Sequence, residues 1–449
     1  MSFRTFYLRK KYWFNDFIHG AQMWKQYYDV MKMTNCQKKY TAGGGGDKRK
    51  KYLKDILNFA QMNIPYYIKI GGMKNLQDFP VVNKQIYLSD YDAFCTPMDK
   101  IPFQKGKLHI QKTSGSTGIP FKIPQDTRCR LRRIAIIKAE NEKIGFHSFE
   151  PMLHLRAVSH YWNDERDFIY QRNLNIWYVD NSNLNEKKIR KIINTVNSYH
   201  IKVIRGYMTT LDTITRYMEE NQLNFRHKVT FISVGELLQE WLRKRVIDYL
   251  HCDIISQYGN EENGIFGQSD INGSGRHINL NGAGCVVEIL KLNCDKPAEQ
   301  GELGRIIVTD FTNYAMPMIR YDIGDLAAPC EFYPDGTVKS IDNLSGRITD
   351  RIYRTDGCPI DFYNSMPVDI FLNPQIHQFQ FIQQAEKEYL MRISFKHSEV
   401  KKKELSYIEE LKDILGTDAR IHIEWSKELP ILNSGKRKII INEWKQERK

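Results

Sequence analysis

Residues 202–260 decide the fold: KVIRGYMTTLDTITRYMEE (202–220), VTFISV (229–234), QEWLRKRVIDYL (239–250) and DIISQYGN (253–260). Short β-branched runs at 202–204, 229–234 and 253–256 alternate with helical stretches at 210–220 and 239–250. Such alternation predicts a parallel or mixed sheet covered by helices. Toward the N-terminus, 126–144 reads as a long, Arg-rich helix capped by Asp126. Further back, Tyr52, Ile56, Leu57, Phe59 and Ala60 share one side of a helix that ends at Ile64-Pro65, because proline disfavours helical geometry in its predecessor. Toward the C-terminus the texture changes near Ile278. Gly282-Ala283-Gly284 leads into VVEIL, and Gly301 to Gly304 into RIIVTD, the pattern of antiparallel strands joined by turns. After Gly346-Arg347, strand-like pieces at 379–382, 390–395 and 420–425 flank a helix at 399–415. The fold class is therefore α/β. A large domain over 1–346 combines mixed sheets under helices with an antiparallel β subdomain, and a small α+β domain occupies 347–449.

Composition bounds the rest. The 449 residues suffice for one or two full cores. A hydrophobic share of 41% with 27% charged residues fits a soluble globular protein and excludes wholesale disorder. No run approaches the roughly 18 apolar residues of a membrane span. The opening MSFRTFYLRKKYWFN interrupts itself with Arg and Lys, unlike a secretory leader, so a cytoplasmic location is expected. Residues 1–40 mix Phe3, Phe6, Tyr7, Tyr12, Trp13, Phe14 and Phe17 with Arg4, Arg9, Lys10 and Lys11. They read as a helix docking its aromatic face on the core, or alternatively as an interfacial helix in peripheral contact with a membrane. The run TAGGGGDKRKK at 41–51 reads as a flexible surface loop outside the fold.

The eight cysteines are scattered, without any C-x-x-C, which suggests neither a zinc site nor a disulfide ladder. Isolated cysteines read as small buried hydrophobes. A metal site would need distant positions, such as His277 with Cys330. The net charge of +13 attracts polyanions: nucleotides, coenzyme A, nucleic acid or an anionic membrane. The excess is spread along the chain, and no recognition helix, zinc finger or RNA-binding aromatic signature accompanies it. No nucleic-acid partner is expected.

The sharpest local feature is Thr113-Ser114-Gly115-Ser116-Thr117-Gly118-Ile119-Pro120, between strand-like segments at 108–111 and 121–123. Glycines admit close backbone approach, and N–H and O–H donors suit phosphate oxygens. The spacing is not that of a Walker loop. Taken alone, such a stretch is more often a plain turn. It is followed by Ser233-Val234-Gly235-Glu236, Gln257-Tyr258-Gly259-Asn260-Glu261-Glu262, Met318 to Asp325, Gly346-Arg347-Ile348-Thr349-Asp350 and Leu429-Pro430 to Ser434-Gly435-Lys436.

This succession resembles the adenylate-forming superfamily, and within it the phenylacetate–CoA ligase family, in the branch associated with capsule and surface-polysaccharide synthesis. Ile64-Pro65-Tyr66-Tyr67, Phe79 to Lys84 and Ile204-Arg205-Gly206-Tyr207 add to the likeness, which extends from about residue 50 to the end. The resemblance implies that a carboxylate attacks the α-phosphorus of ATP, pyrophosphate leaves and an acyl-adenylate forms. It implies that Thr113, Ser114, Gly115, Ser116, Thr117 and Gly118 cradle phosphates, and that Glu262 binds Mg2+ with help from Thr117. Tyr258 would face adenine, with Gly235, Glu236 and Gly259 allowing close approach. Asp325 would accept from the ribose hydroxyls, and Arg347 would contact ribose or phosphate. Lys436, from the small mobile domain, would bridge the substrate carboxylate and α-phosphate, with a hinge at Thr349-Asp350. The chain departs from the family at Glu261, where Ser or Thr is frequent, at Ile119, where Lys is frequent, and at Thr349, where an acidic residue is frequent.

An acid pocket is expected around His154, Gly206, Tyr207 and Ser233. The stretch from His154 to Asp164 is polar and aromatic, whereas an aryl-acid pocket would be mostly apolar. The expected substrate is thus a polar or hydroxylated acid, such as an amino acid or a uronic acid. It would be joined to an amine or hydroxyl acceptor. CoA thioester formation is the alternative, and a nucleotide-binding scaffold without turnover is the alternative of another class.

Overall fold

In the computed structural model, the alternation over 202–260 becomes the centre of one large mixed sheet. The structure describes residues 2–38, 45–102, 104, 106–113, 121–157, 166–182, 184–347, 351–360, 376–395, 398–426, 429 and 439–444, without the side chains of 35–38, 45–47, 347, 377, 398 and 399. Met152–Arg156, Val203–Tyr207, Thr230–Val234 and Asp253–Asn260 lie side by side in parallel. Ile176–Asp180 joins Met152–Arg156 in parallel, and Phe168–Gln171 closes that edge antiparallel. Beyond Asp253–Asn260 the sheet turns antiparallel through Gly264–Gln268, Ile278–Leu280, Val338–Arg347, Tyr321–Phe332, Gly304–Asp310 and Cys285–Leu290. The antiparallel region read from the sequence thus continues the parallel sheet.

Alternation along the parallel strands distributes side chains to two layers. On one face Leu153, Leu155, Ile204, Phe231 and Ile254 pack against Ile189, Ile192, Ile193 and Val196 of the helix Glu186–Ser198 and Leu211, Ile214 and Met218 of the helix Met208–Glu220. Burying each such side chain is worth roughly 1.5–3 kcal/mol. On the other face Val203, Ile232 and Ile255 meet Phe146. The helix Thr127–Lys143 is capped as expected: Cys129 N donates to Asp126 Oδ1 at 2.8 Å, and Tyr314 N donates to Asp126 Oδ2 at 2.7 Å.

Residues 1–38 form two helices, Phe3–Ile18 and Gln22–Lys38. Only part of the aromatic set docks. Tyr12 and Trp13 pack near Met23, Val30, Ala135 and Ile136, whereas Phe3 (85% exposed), Phe14 (68%) and Phe17 (74%) face solvent. The reading of a fully docked aromatic face is therefore corrected. The run 41–51 needs correction too. Residues 45–51 open the helix Gly45–Asn63, and Arg49 is buried, with Nη2 2.5 Å from Asp335 Oδ2 and the guanidinium 4.0 Å from the Tyr333 ring centroid. That helix ends before Pro65, which starts the next one, Pro65–Ile70.

A second, four-stranded sheet orders Arg420–Ser426, Glu388–Phe395, Ile376–Ala385 and Ile440–Asn442. It is covered by the helix Glu404–Leu415, whose Tyr407, Leu411 and Leu415 join Phe381, Tyr389, Met391 and Ile393 in a separate core. Among the described residues no helix is long and apolar enough to cross a membrane.

Candidate functional site

The hydroxyl-rich loop springs from a hairpin. His109–Lys112 pairs antiparallel with Lys122–Gln125, in register Gln111↔Ile123. Thr113 N donates to the Phe121 carbonyl at 3.0 Å, and Phe121 N donates to Thr113 Oγ1 at 3.2 Å. Phe121 is anchored beside Tyr87 in the N-terminal core. Both ends of the loop are thereby held together; Ser114, Gly115, Ser116, Thr117 and Gly118 themselves lie outside the described residues.

The base of that hairpin meets the turn carrying Glu261 and Glu262. Gln111 Nε2 donates to Glu261 Oε2 at 2.6 Å. Residues 261–263 connect Asp253–Asn260 to Gly264–Gln268, and Asn263 N donates to Asn260 Oδ1 at 2.6 Å. Arg133, reaching from the helix Thr127–Lys143, donates to the Glu261 carbonyl at 3.3 Å and to the Glu262 carbonyl. Gly264 has φ +89°, a conformation that favours glycine, and it lies beside the Arg133 side chain. Two carboxylates thus sit on a backbone pinned against the loop's base, a donor set that suits a hard cation. Glu261, the departure from the family pattern, makes the contact to the loop's hairpin.

Tyr258 and Asp325, expected on the nucleotide side, also converge. Tyr258 Oη donates to Asp325 Oδ2 at 2.8 Å, and Tyr258 packs on Phe266 with centroids 5.4 Å apart. Asp325 stands opposite Arg347 in the pairing of Tyr321–Phe332 with Val338–Arg347. Gly259 is demanded by the hairpin, since a Cβ there would lie 2.2 Å from the Gly264 carbonyl oxygen. Gly235 has φ +70°, a conformation that favours glycine. The Glu236 carboxylate accepts from Thr209 N at 2.8 Å and from Thr209 Oγ1 at 2.9 Å, so it caps the N-terminus of Met208–Glu220. Its side chain is engaged in the fold, and close approach would involve the backbone. Lys436, Thr349 and Asp350 lie outside the described residues, as does the side chain of Arg347.

The four acid-pocket residues separate onto two faces. His154 pairs in register with Tyr178 on one side and Arg205 on the other, and alternation sets Tyr207 with them. Gly206 points the opposite way: a Cβ would meet Leu155 and Leu211 at 3.1–3.4 Å. Ser233, its register partner, is fully buried on that helix-covered face. Gly206 and Ser233 thus turn toward the packing layer, so in a pocket they would take part through their backbone. Burial, reinforced by the charges of Arg205 and Arg156, holds the His154 imidazole well below its ordinary value, so it is neutral at pH 7. Burial also lowers Arg205 to about 10, with Glu261 acting to raise it and Arg156 to lower it. Arg205 stays cationic and donates to Gln257 Oε1 at 2.6 Å.

Gln111 and Arg133 are residues that motif reading passed over, and Arg205 entered it only within Ile204-Arg205-Gly206-Tyr207, with no role of its own. Arg205 had a signal: a charged residue inside an apolar strand run must be buried with a purpose or a partner. Gln111 had none, because its contact spans 150 residues of sequence.

Comparison with known proteins agrees with this architecture. Residues 362–443 match the CapK C-terminal domain. The chain is 22% identical to Protein CapK of Staphylococcus aureus, across 93% of this chain and 92% of that protein. A 2-hydroxyisobutyryl-CoA ligase in its postadenylation state superposes with a TM-score of 0.65 at 14% identity, over 88% of this chain and 89% of the ligase. The amide bond synthetase McbA of Marinactinospora thermotolerans gives 0.50 at 11% identity, over 73% of this chain and 66% of the synthetase. The chain therefore shares the fold of these ligases, and its sequence similarity is to Protein CapK.

Proposed function

We propose that the protein is an ATP-dependent, AMP-forming ligase that activates a carboxylic acid and passes the acyl group to an acceptor in surface-polysaccharide synthesis. The observation that carries this reading is the Gln111–Glu261 hydrogen bond, which sets the acidic turn against the closed base of the hydroxyl-rich loop. In this reading, Thr113 to Gly118 hold the β- and γ-phosphates. Mg2+, bound by Glu262 and Thr117, supplies charge neutralisation for the triphosphate. Tyr258 flanks adenine while its hydroxyl orients Asp325 for the ribose, and Arg347 approaches from the end of its strand. The substrate carboxylate displaces pyrophosphate from the α-phosphorus, and Lys436 stabilises the charge that builds there. Lys436 belongs to the small domain, over 347–449, and Thr349-Asp350 is the hinge that withdraws it before acyl transfer.

The acid pocket in this reading is the face bearing His154, Tyr178, Arg205 and Tyr207. A neutral imidazole and a half-buried guanidinium favour a polar or hydroxylated acid over an aryl acid. The acceptor is an amine or hydroxyl; CoA is the second reading, favoured by the fold shared with CoA ligases. The exposed Phe3, Phe14 and Phe17 beside Arg4, Lys10 and Lys11 support peripheral contact with an anionic bilayer. Pelleting with phosphatidylglycerol vesicles, lost in Phe14→Ser/Phe17→Ser, is expected; equal recovery on phosphatidylcholine would refute charge-guided contact.

The deciding experiment is pyrophosphate release across hydroxy, amino and uronic acids and phenylacetate, with and without CoA. Lys436→Ala is expected to suppress release about 100-fold or more while ATP still binds. ATP binding without release for any acid would leave the scaffold as the function.

A further inference from the structure

Cys330, His277 and Asp342 are distant in sequence and play no part in the proposed ligase chemistry. Their donor atoms, an Sγ, an imidazole nitrogen and a carboxylate oxygen, all lie within 4.8 Å of one another. Nδ1 of His277 is 3.2 Å from Oδ1 of Asp342. The cause is in the sheet. Val338–Arg347 runs between Ile278–Leu280 and Tyr321–Phe332. On one side Ile278 pairs with Ile341, which brings His277 level with Asp342. On the other side Pro329 pairs with Ile341 and Glu331 with Ser340, so Cys330 is the extra residue of a bulge. Bulges re-aim side chains, and this one delivers the thiol to the same spot.

We propose that His277, Cys330 and Asp342 form a divalent-metal site, with Zn2+ as its cation. Nitrogen, sulfur and carboxylate oxygen are the ligand types zinc prefers. Tetrahedral bonds of about 2.0–2.3 Å set such donors roughly 3.3–3.6 Å apart, so small rotamer shifts close the shell around the ion. All three residues are partly exposed, which gives the ion an entry path and leaves a fourth position for water. On binding, the Cys330 thiol gives its proton to solvent and the thiolate joins the metal. Burial and the Asp342 carboxylate raise the thiol above its ordinary value, a bias that a bound dication reverses. The site clasps three adjacent strands. Asp342 is five residues, about 16 Å, along the strand from Arg347, so the clasp would stiffen the platform that carries Asp325 and Arg347.

The test uses the full chain after EDTA treatment, titrated with Co2+ and then Zn2+. One equivalent of Co2+ should give intense tetrahedral visible bands and a near-ultraviolet thiolate-to-metal band, both displaced by Zn2+. Cys330→Ser should abolish the thiolate band, and His277→Ala and Asp342→Asn should each weaken Zn2+ binding at least tenfold. Replacing the exposed Cys294 and Cys358 by Ser should change neither. Circular dichroism in EDTA checks that every variant is folded. Absence of stoichiometric Co2+ binding, or a thiolate band that survives in Cys330→Ser, would overturn the site.

Discussion

The two faces of the central parallel sheet are built from the same strands and do opposite work. In Val203–Tyr207, Ile204 and Gly206 face the helix layer, where Gly206 lies against Leu155 and Leu211, while Arg205 and Tyr207 share the opposite face with His154 and Tyr178. The packing face has no slack: Phe231, Ile254 and Leu211 are fully buried, and Gly206 has no room for a methyl group without displacing Leu155. The opposite face holds a cation and an imidazole half-buried, an arrangement tolerated where hydrogen bonds and charge answer it. The period of two along a strand thus separates the packing layer from the proposed acid pocket one residue at a time.

Substitutions on each face should fail in different currencies. Phe231→Ala should cost about 3–5 kcal/mol of unfolding free energy, read by urea denaturation, while the folded fraction keeps its pyrophosphate release per molecule. A fall in specific activity as large as the fall in stability would break the separation. Arg205→Met should do the reverse, raising KM for the acid at least tenfold, about 1.4 kcal/mol, with KM for ATP and the urea midpoint much less affected. An unchanged acid KM would remove Arg205 from the pocket.

Proton uptake sharpens the contrast. His154 is held neutral in the fold, well below the ordinary 6.5 it regains when unfolded. Below pH 6.5 the unfolded chain therefore binds a proton that the folded chain refuses, so stability falls as pH drops and levels off above 6.5. The loss grows as the pH falls further below 6.5, and His154→Gln should flatten that part of the profile. An identical profile in the variant would show that the histidine titrates as it does in water. The smallest effect is expected from Gln111→Ala. The exposed Gln111–Glu261 bond is worth about 1 kcal/mol, and its loss should raise KM for ATP several-fold without touching the acid KM.

Much of the molecule was legible beforehand, for reasons tied to range. The parallel strands, the capped helix Thr127–Lys143 and the stop at Ile64-Pro65 follow from local period, capping and proline geometry, which act within a few residues. The convergence of Tyr258 with Asp325 was legible only through the order of motifs, since the bond joins strands from different parts of the sheet. Register was not legible. It moved Gly206 and Ser233 to the packing face and opposed Asp325 to Arg347, and such pairings depend on tertiary neighbours that no window contains. The glycine run misled for a simpler reason: composition at 43–46 concealed that the next cations belong to a helix with buried work to do.

That last feature has a practical side. Arg49 is 5% exposed and joins Asp335, 286 residues away, while lying over Tyr333 in the turn between Tyr321–Phe332 and Val338–Arg347. Trimming the chain to where the family likeness begins would strip this staple and strand an acidic group at the tip of the ribbon whose far end carries Asp325. Arg49 is thus a strut for the ribbon that carries Asp325, and a shortened version made for crystallisation should retain it.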